Sequence, residues 1–410
     1  MKSSQDAASE PTHRVTAFPT GAAWEVLAAF TKLGVSSFGG PIAHLGYFRD
    51  ELVLRRKWID EEGYADIVAL CQFLPGPASS QVAFALGMLR AGPLGAAAAW
   101  IGFTLPSAIL LVLFAYGSSA FAGTAEAGLL HGLKVVAVAV VAQAVWGMAR
   151  SLTPDRERAA IALTAVLIVT FAASSVAQIA AIALGSLAGL WLCRSGSTPA
   201  IGELHLRVSK TFGMLALGAF ALLFVLSMLL AGQAQAIALF AAFYRAGSLV
   251  FGGGHVVLPL LQAQVVAPGW VDNNAFLAGY GAAQAVPGPL FTFAAYLGAV
   301  MGPAPNGIAG ATIALVALFL PGLLLVVGAL PFWDDFRSRP MAQAAMRGAN
   351  AAVVGILGAA LYNPVWTSAI RVPGDFALAL AGFLLLTVWR APPWIVVVLL
   401  AAASTILALT

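Results

Sequence analysis

Charge is what this chain has least of: Asp, Glu, Lys and Arg make up 9% of its 410 residues, where a soluble globular chain carries about 25%. That scarcity excludes an ordinary soluble domain, and a net charge of +4 gives nothing resembling a nucleic-acid surface. Cysteine is nearly missing. Cys71 and Cys193, both in apolar settings, cannot build a disulfide framework or a metal site. No Ser-His-Asp order, His-x-x-His set or phosphate loop is visible, so neither a catalytic centre nor a cofactor is expected. The first twenty residues are polar and lack the apolar stretch of a signal peptide, so no cleaved leader is expected and the first helix must act as the insertion signal.

What is present is apolar sequence, 60% of the residues with a mean hydropathy of +0.91. Runs of about 20 apolar residues, each long enough to cross a hydrocarbon core, lie near 22–45, 64–88, 94–117, 126–149, 157–173, 176–193 and 211–231. Six more lie near 236–261, 275–299, 305–329, 341–362, 375–389 and 392–409. The reading is an all-α polytopic membrane protein of about thirteen segments.

A fingerprint occurs twice. Phe38-Gly39-Gly40 is followed by Gln72-x-x-Pro75-Gly76-Pro77, and Phe251-Gly252-Gly253 is followed, at an interval that matches to within a single position, by Gln284-x-x-Pro287-Gly288-Pro289. In the same register Lys32 pairs with Arg245, Gly34 with Gly247, Trp58 with Trp270, Asp60 with Asp272, Pro106 with Pro321 and Gly132 with Gly348. The expected organisation is a polar tail (1–20), a first six-span repeat (21–193), a linker with one extra span (194–235) and a second six-span repeat (236–410). If every run crosses, the odd span inverts the second repeat, and duplicated halves with helix breakers mark a secondary transporter.

Basic residues in short loops set orientation. With the N-terminus inside, Arg90, Arg150, Arg156, Arg194, Arg339 and Arg390 fall on the cytoplasmic side, while Arg49, Arg55, Arg56 and Lys57 fall outside. Two readings stay open. Either this is an external amphipathic loop, or spans 22–45 and 64–88 form a re-entrant hairpin that returns it to the cytoplasm.

Three cations stand within apolar runs: Lys32, Lys134 and Arg245. Each costs about 2.5–3.5 kcal/mol at the bilayer centre without a partner. Glu25 and Asp66 lie only near span ends and Glu126 starts a span, so no carboxylate shares that depth and a bound anion is the economical compensation. The bland alternative is snorkelling or pairing with freed carbonyls. The Pro-Gly-Pro runs must interrupt their helices, with Pro77 and Pro289 opening half-helices. The N–H groups of Ala78, Ser79 and Ser80, and of Leu290, Phe291 and Thr292, would then meet an anion. Gln72 and Gln284 could add amide donors, Lys134 and its counterpart Asn350 could line the pathway, and Pro41 could restart the chain after Gly39-Gly40. His44 and His255 fall out of register, which suits an ordinary polar contact at a break better than a proton role. Asp60 and Asp272 are expected helix caps.

These residues resemble the chromate ion transporter family in its long, two-domain form. The resemblance is carried by Phe30-Thr31-Lys32-Leu33-Gly34 through Pro41, Trp58, Gln72 to Pro77 and Gly132-Leu133-Lys134, and again by Phe251 to His255, Trp270, Gln284 to Pro289 and Gly348-Ala349-Asn350. It covers nearly the whole chain. It implies export of chromate across the bacterial inner membrane and chromate resistance, with sulfate as the chemical analogue and sulfate or another oxyanion transport as the rival function. A dianion leaving a cell that is negative inside gains about 4.6 kcal/mol per 100 mV, so export needs no coupled cation. The resemblance leaves the oligomeric state open.

Overall fold

The computed structural model describes residues 22–120, 124–172, 175–194, 208–230, 234–251, 254–333 and 339–409. The polar tail, most of the 194–210 linker and the pair Gly252-Gly253 lie outside them. Among the described residues the regular structure is helical, without a strand. Five helices are long and apolar enough to cross a membrane: Ala78–Gly117, Ala127–Leu152, Lys210–Leu229, Gly307–Phe332 and Pro340–Ala369.

The runs 22–45, 64–88, 236–261 and 275–299 are not single crossing helices. Each is broken and folded back on itself. α1 (Ala22–Ser36) stops before Gly39 and Gly40, whose φ angles of 101° and 79° are open to glycine at little cost, and Pro41 opens α2 (Gly40–Phe48). α2 continues into a π-helical segment, Arg49–Arg55, which returns alongside α1. Phe48 meets Phe30 at 5.5 Å, Glu51 meets Lys32 at 3.1 Å, and Arg56 meets Glu25 at 3.6 Å near the start of α1.

α3 (Glu61–Phe73), capped by Asp60 through the Gly63 N–H, leads to the first Pro-Gly-Pro. α4 (Ala78–Ala120) then leaves the break, reaches Arg90 beside Glu25 at 2.9 Å, and bends sharply at Ala91-Gly92 into a long second arm. Glu25, Arg56, Trp58 and Arg90 therefore gather at one end, with Trp58 flanked by both guanidinium groups at 5.6 and 5.5 Å. The result is two helical hairpins with their open ends together.

The second fingerprint is built alike. α9 (Gln235–Ser248) and α10 (Val257–Val265) fold back through Arg245 and Gln264, 2.7 Å apart. α11 (Asn273–Ala283) is capped by Asp272, and α12 (Phe293–Val300) returns along it, Tyr296 donating to the Ala275 carbonyl at 3.0 Å. The open ends are joined where the Gly302 N–H donates to the Trp270 carbonyl at 3.0 Å.

Each hairpin set leans on a long helix at a glycine. A Cβ on Gly34 would stand 2.7 Å from the Gly102 carbonyl of α4, and one on Gly247 would collide with the Leu318 carbonyl of α13 (Gly307–Ala329). The second arm of α4 and α13 run antiparallel: Trp100 stacks edge-on against Phe319 at 5.7 Å, Ala108 packs with Ala311, and the Tyr116 hydroxyl closes on Gly307.

The remaining helices are exchanged between the halves. α6 (Arg156–Ala172) and α7 (Ser175–Leu192) pack on α14 (Pro340–Ala360), where Gly348 meets Gly185 and Gly189. α15 (Pro373–Thr387) and α16 (Pro393–Leu409) pack on α5 (Thr124–Leu152), where Gly132 meets Ala401 and Ser404. α8 (Lys210–Leu229) lies against α9 and α13.

Two outcomes are expected. Cysteines introduced by Lys57→Cys and Ser4→Cys, in a background without Cys71 and Cys193, are labelled by an impermeant maleimide from the same side of the membrane. Gly247→Ala lowers the thermal midpoint in detergent, at a cost of about 1–3 kcal/mol for the forced displacement of α13.

Candidate functional site

The two Pro-Gly-Pro breaks meet the residues that lead into the two glycine runs. The Gly76 N–H of the first Pro-Gly-Pro donates to the Val250 carbonyl at 2.7 Å, just before the second glycine break, and the Gly288 N–H of the second donates to the Ser37 carbonyl at 2.9 Å, just before the first. Both bonds cross between the halves, and they are counterparts: in the register of the two fingerprints Gly76 corresponds to Gly288 and Ser37 to Val250. Gly76 lies against Gly322 of α13, and Gly288 against Ser107 of α4, so the tips sit partway along both long helices.

Gly76 and Gly288 hold φ of 125° and 95°, angles that a side chain strains to adopt. Between the tips is a cavity of about 30 Å³ lined by Pro41, Pro77, Ala78, Ser79, Gly254, Pro289, Leu290 and Phe291. That is room for one or two waters. A larger cavity of about 580 Å³ lies between α6, α7, α10 and α14, but its polar lining is the neutral set Thr170, Gln178, Gln262, Tyr362 and Asn363, with no charged residue among the described ones. Its size does not make it the better site for an anion.

α4 begins at Ala78, so its first-turn N–H groups open at the cavity. The second copy is tighter. Leu290–Thr292 form a 3-10 turn in which the Thr292 N–H donates to the Pro289 carbonyl at 3.0 Å, so that donor is not free as expected. Gln72 is exposed, whereas Gln284 is half-buried with its amide nitrogen unpaired among the described residues. A residue that the sequence reading passed over does the bracing. Gln81, fully buried, donates to the Pro75 and Gly322 carbonyls at 3.0 Å each and ties the first tip to α13.

Lys32 and Arg245 do not line the cavity. The expectation that no carboxylate shares the depth of Lys32 is wrong: Glu51 accepts from Lys32, Arg55 and Arg56 at 3.1, 2.9 and 2.8 Å, because the π-helical segment folds back along α1. The Lys32 side chain is also 53% exposed, and its charge is compensated by Glu51. Burial raises the Glu51 pKa, but the hydrogen bonds from Arg56, Lys32 and Arg55 outweigh it and hold the carboxyl down at about 2. Glu51 lies outside the five long spans.

Arg245 is held differently. It donates to Gln264 at 2.7 Å and to the Ser227 carbonyl of α8, and no carboxylate pairs with it among the described residues. Gln264 stands where Glu51 stands in the first copy, in the same register that pairs Arg245 with Lys32. One contact is thus kept in both copies, with its acid replaced by an amide in the second. That shared register was the signal that could have found the pair.

A family model for chromate transporters matches residues 24–190 and again 237–406. The chain belongs to the chromate transporter family. It is 29% identical over 397 residues to a chromate transport protein of Pseudomonas aeruginosa, covering 92% of this chain and 90% of the relative. A chromate transport protein of Cupriavidus metallidurans is 27% identical over 363 residues, 87% of this chain and 86% of the relative. An uncharacterised transporter of Methanocaldococcus jannaschii is 25% identical, with 82% of each chain covered. No solved structure matches.

Within this family member the other expected site residues separate into two groups. His44 is at the tips: buried on α2, it meets the Ser79 hydroxyl through Nδ1 at 3.3 Å. His255 bonds Tyr280 at 2.7 Å instead, so the two histidines play unlike parts. Lys134 is buried on α5 and donates to Asn274 at 3.1 Å, close to His131 and its partner Asp375, which are 2.7 Å apart. Asn350 sits on α14 with its amide oxygen unpaired among the described residues and shares no bond with Lys134.

Removing the Glu51 carboxylate leaves three cations without their common partner. Glu51→Gln is expected to lower the thermal midpoint at pH 7. The contribution is fully present above the unfolded-state value of about 4.3 and is lost as the pH falls toward the folded value. The melting temperatures of wild type and Glu51→Gln therefore draw together progressively as the pH falls from about 5 to about 2.

Proposed function

We propose that this chain is a multi-pass carrier of the bacterial inner membrane that exports chromate from the cytoplasm and confers chromate resistance. It works by alternating access around the cavity between the four tips. The observation that carries the reading is the meeting of both Pro-Gly-Pro runs with Ser37 and Val250 of the opposite halves, by bonds from Gly76 and Gly288. Backbone donors and half-helix N-termini suit a tetrahedral dianion, since they favour negative charge and require no carboxylate. Membership of the chromate transporter family, whose relatives are named for chromate transport, selects the ion and gives a transport protein rather than an enzyme.

We further read the two copies as inverted repeats. The antiparallel course of the α4 second arm and α13 supports this, because Pro106 and Pro321 occupy equivalent places on them. Such symmetry lets one packing rearrange into its mirror counterpart and expose the site to either side. Outward movement fits the charge inventory. Glu51 is committed to three cations and Asp375 to His131 and the cap of α15, so neither is free to carry a driving proton. Arg245, without a carboxylate, supplies net positive potential on the second side.

Gly254→Leu places a side chain between Pro41 and Leu290, 3.6 and 3.8 Å from its Cβ. It is expected to abolish chromate flux in proteoliposomes at a set potential while the protein still inserts; retained flux would overturn the cavity as the site. Gln264→Glu neutralises Arg245 and is expected to slow chromate flux several-fold, whereas Gln264→Asn is not. Sulfate competing with chromate at equal concentration would favour the broader oxyanion reading.

A further inference from the structure

We propose that the amide N–H groups of Gly76 and Gly288 are the donors that bind the oxyanion, and that the Val250 and Ser37 carbonyls occupy the oxyanion's place while the carrier is empty. The inference rests on the tips being the substrate site. It adds which atoms bind, and what they do between transport cycles.

A donor poised inside a membrane for an absent substrate is a liability. Buried N–H groups without partners are rare because nothing repays their desolvation. Here each tip meets that constraint by borrowing a carbonyl from the other copy, at 2.7 Å for Gly76 and 2.9 Å for Gly288. These two carbonyls belong to the residues that lead into the opposing glycine breaks, Phe38-Gly39-Gly40 and Phe251-Gly252-Gly253.

The cavity beside these bonds is lined by the residues that follow the two donors, Pro77 to Ser79 and Pro289 to Phe291, and at about 30 Å³ it is too small for a tetrahedral ion with four oxygens. The dianion enters only if the tips part, and when they part the two N–H groups lose their acceptors. An oxyanion then offers a better one, since hydrogen bonds to a charged acceptor are roughly twice as strong as neutral ones. Substrate and carbonyl therefore compete for the same donors. The empty protein is latched, and binding unlatches both copies together because each bond joins one half to the other.

The test uses the full chain with Cys71 and Cys193 replaced by Ala and carrying Pro41→Cys with Gly254→Cys. These positions face each other across the halves, the Gly254 Cβ position lying 3.6 Å from Pro41 Cγ. The pair is bridged with a short bis-alkylating thiol reagent, which needs no added oxidant. In the empty protein bridging is expected to be fast. Chromate is expected to slow it about tenfold, as for a bound state in which nine-tenths of the molecules are parted, with half-effect at the concentration that half-saturates equilibrium binding of radiolabelled chromate.

Unchanged bridging under saturating chromate overturns the latch. Should the double variant bind no chromate, alkylation of the buried Cys71 in wild type decides: α3 ends at the first tip, so chromate is expected to raise Cys71 reactivity, and no rise overturns the proposal. Gly254→Leu separates this from the parent reading. Wild-type flux in Gly254→Leu defeats the tip site itself, while abolished flux with chromate-insensitive bridging in the cysteine pair defeats the latch alone.

Discussion

A helix broken inside a membrane frees backbone donors and acceptors that no water is at hand to satisfy, and the fold depends on how those groups are paired. Each break is satisfied by the other copy. Gly76 bonds across to Val250 and Gly288 bonds across to Ser37, so neither set of hairpins is complete alone. The hairpins, the antiparallel crossing of α4 with α13, and the exchange of α6 and α7 against α15 and α16 all keep the two tips facing each other.

The halves share geometry but not charge. Lys32 with Glu51 and Arg245 with Gln264 are the same contact in the same register, yet the first is neutralised and the second is not. The first hairpin end also carries a cluster of Glu25, Arg56, Trp58 and Arg90, where ion pairs and ring contacts fasten the bend of α4. The second end is fastened by a backbone bond from Gly302 to Trp270. One end is thus clamped electrostatically and the other held by neutral contacts.

Much of this was legible in the sequence. Membrane character follows from apolar run length, and the Pro-Gly-Pro breaks follow from the missing N–H and ring clash of proline. The caps at Asp60 and Asp272 follow from their place before each helix. What misled was depth read from position in a run. Lys32 looked stranded because Glu51 is 19 residues away in the chain, and only a hairpin brings them together. Thr292 looked like a free donor because a 3-10 turn cannot be told from an α-helical start by composition. Gln81 carried no signal, since its role depends on Gly322, 241 residues distant.

The sequence by itself determined that the chain lives in a membrane, that it is duplicated, and where its helices must break, because hydropathy, spacing and proline chemistry are local properties. Its few acids and paired interruptions are also what made an anion the expected cargo. Only the tertiary structure decided that the broken runs fold back as hairpins, that their tips meet across the halves, and which cation has a carboxylate partner. Those outcomes are long-range pairings, set by which buried donor finds which acceptor, and no window of sequence contains both partners.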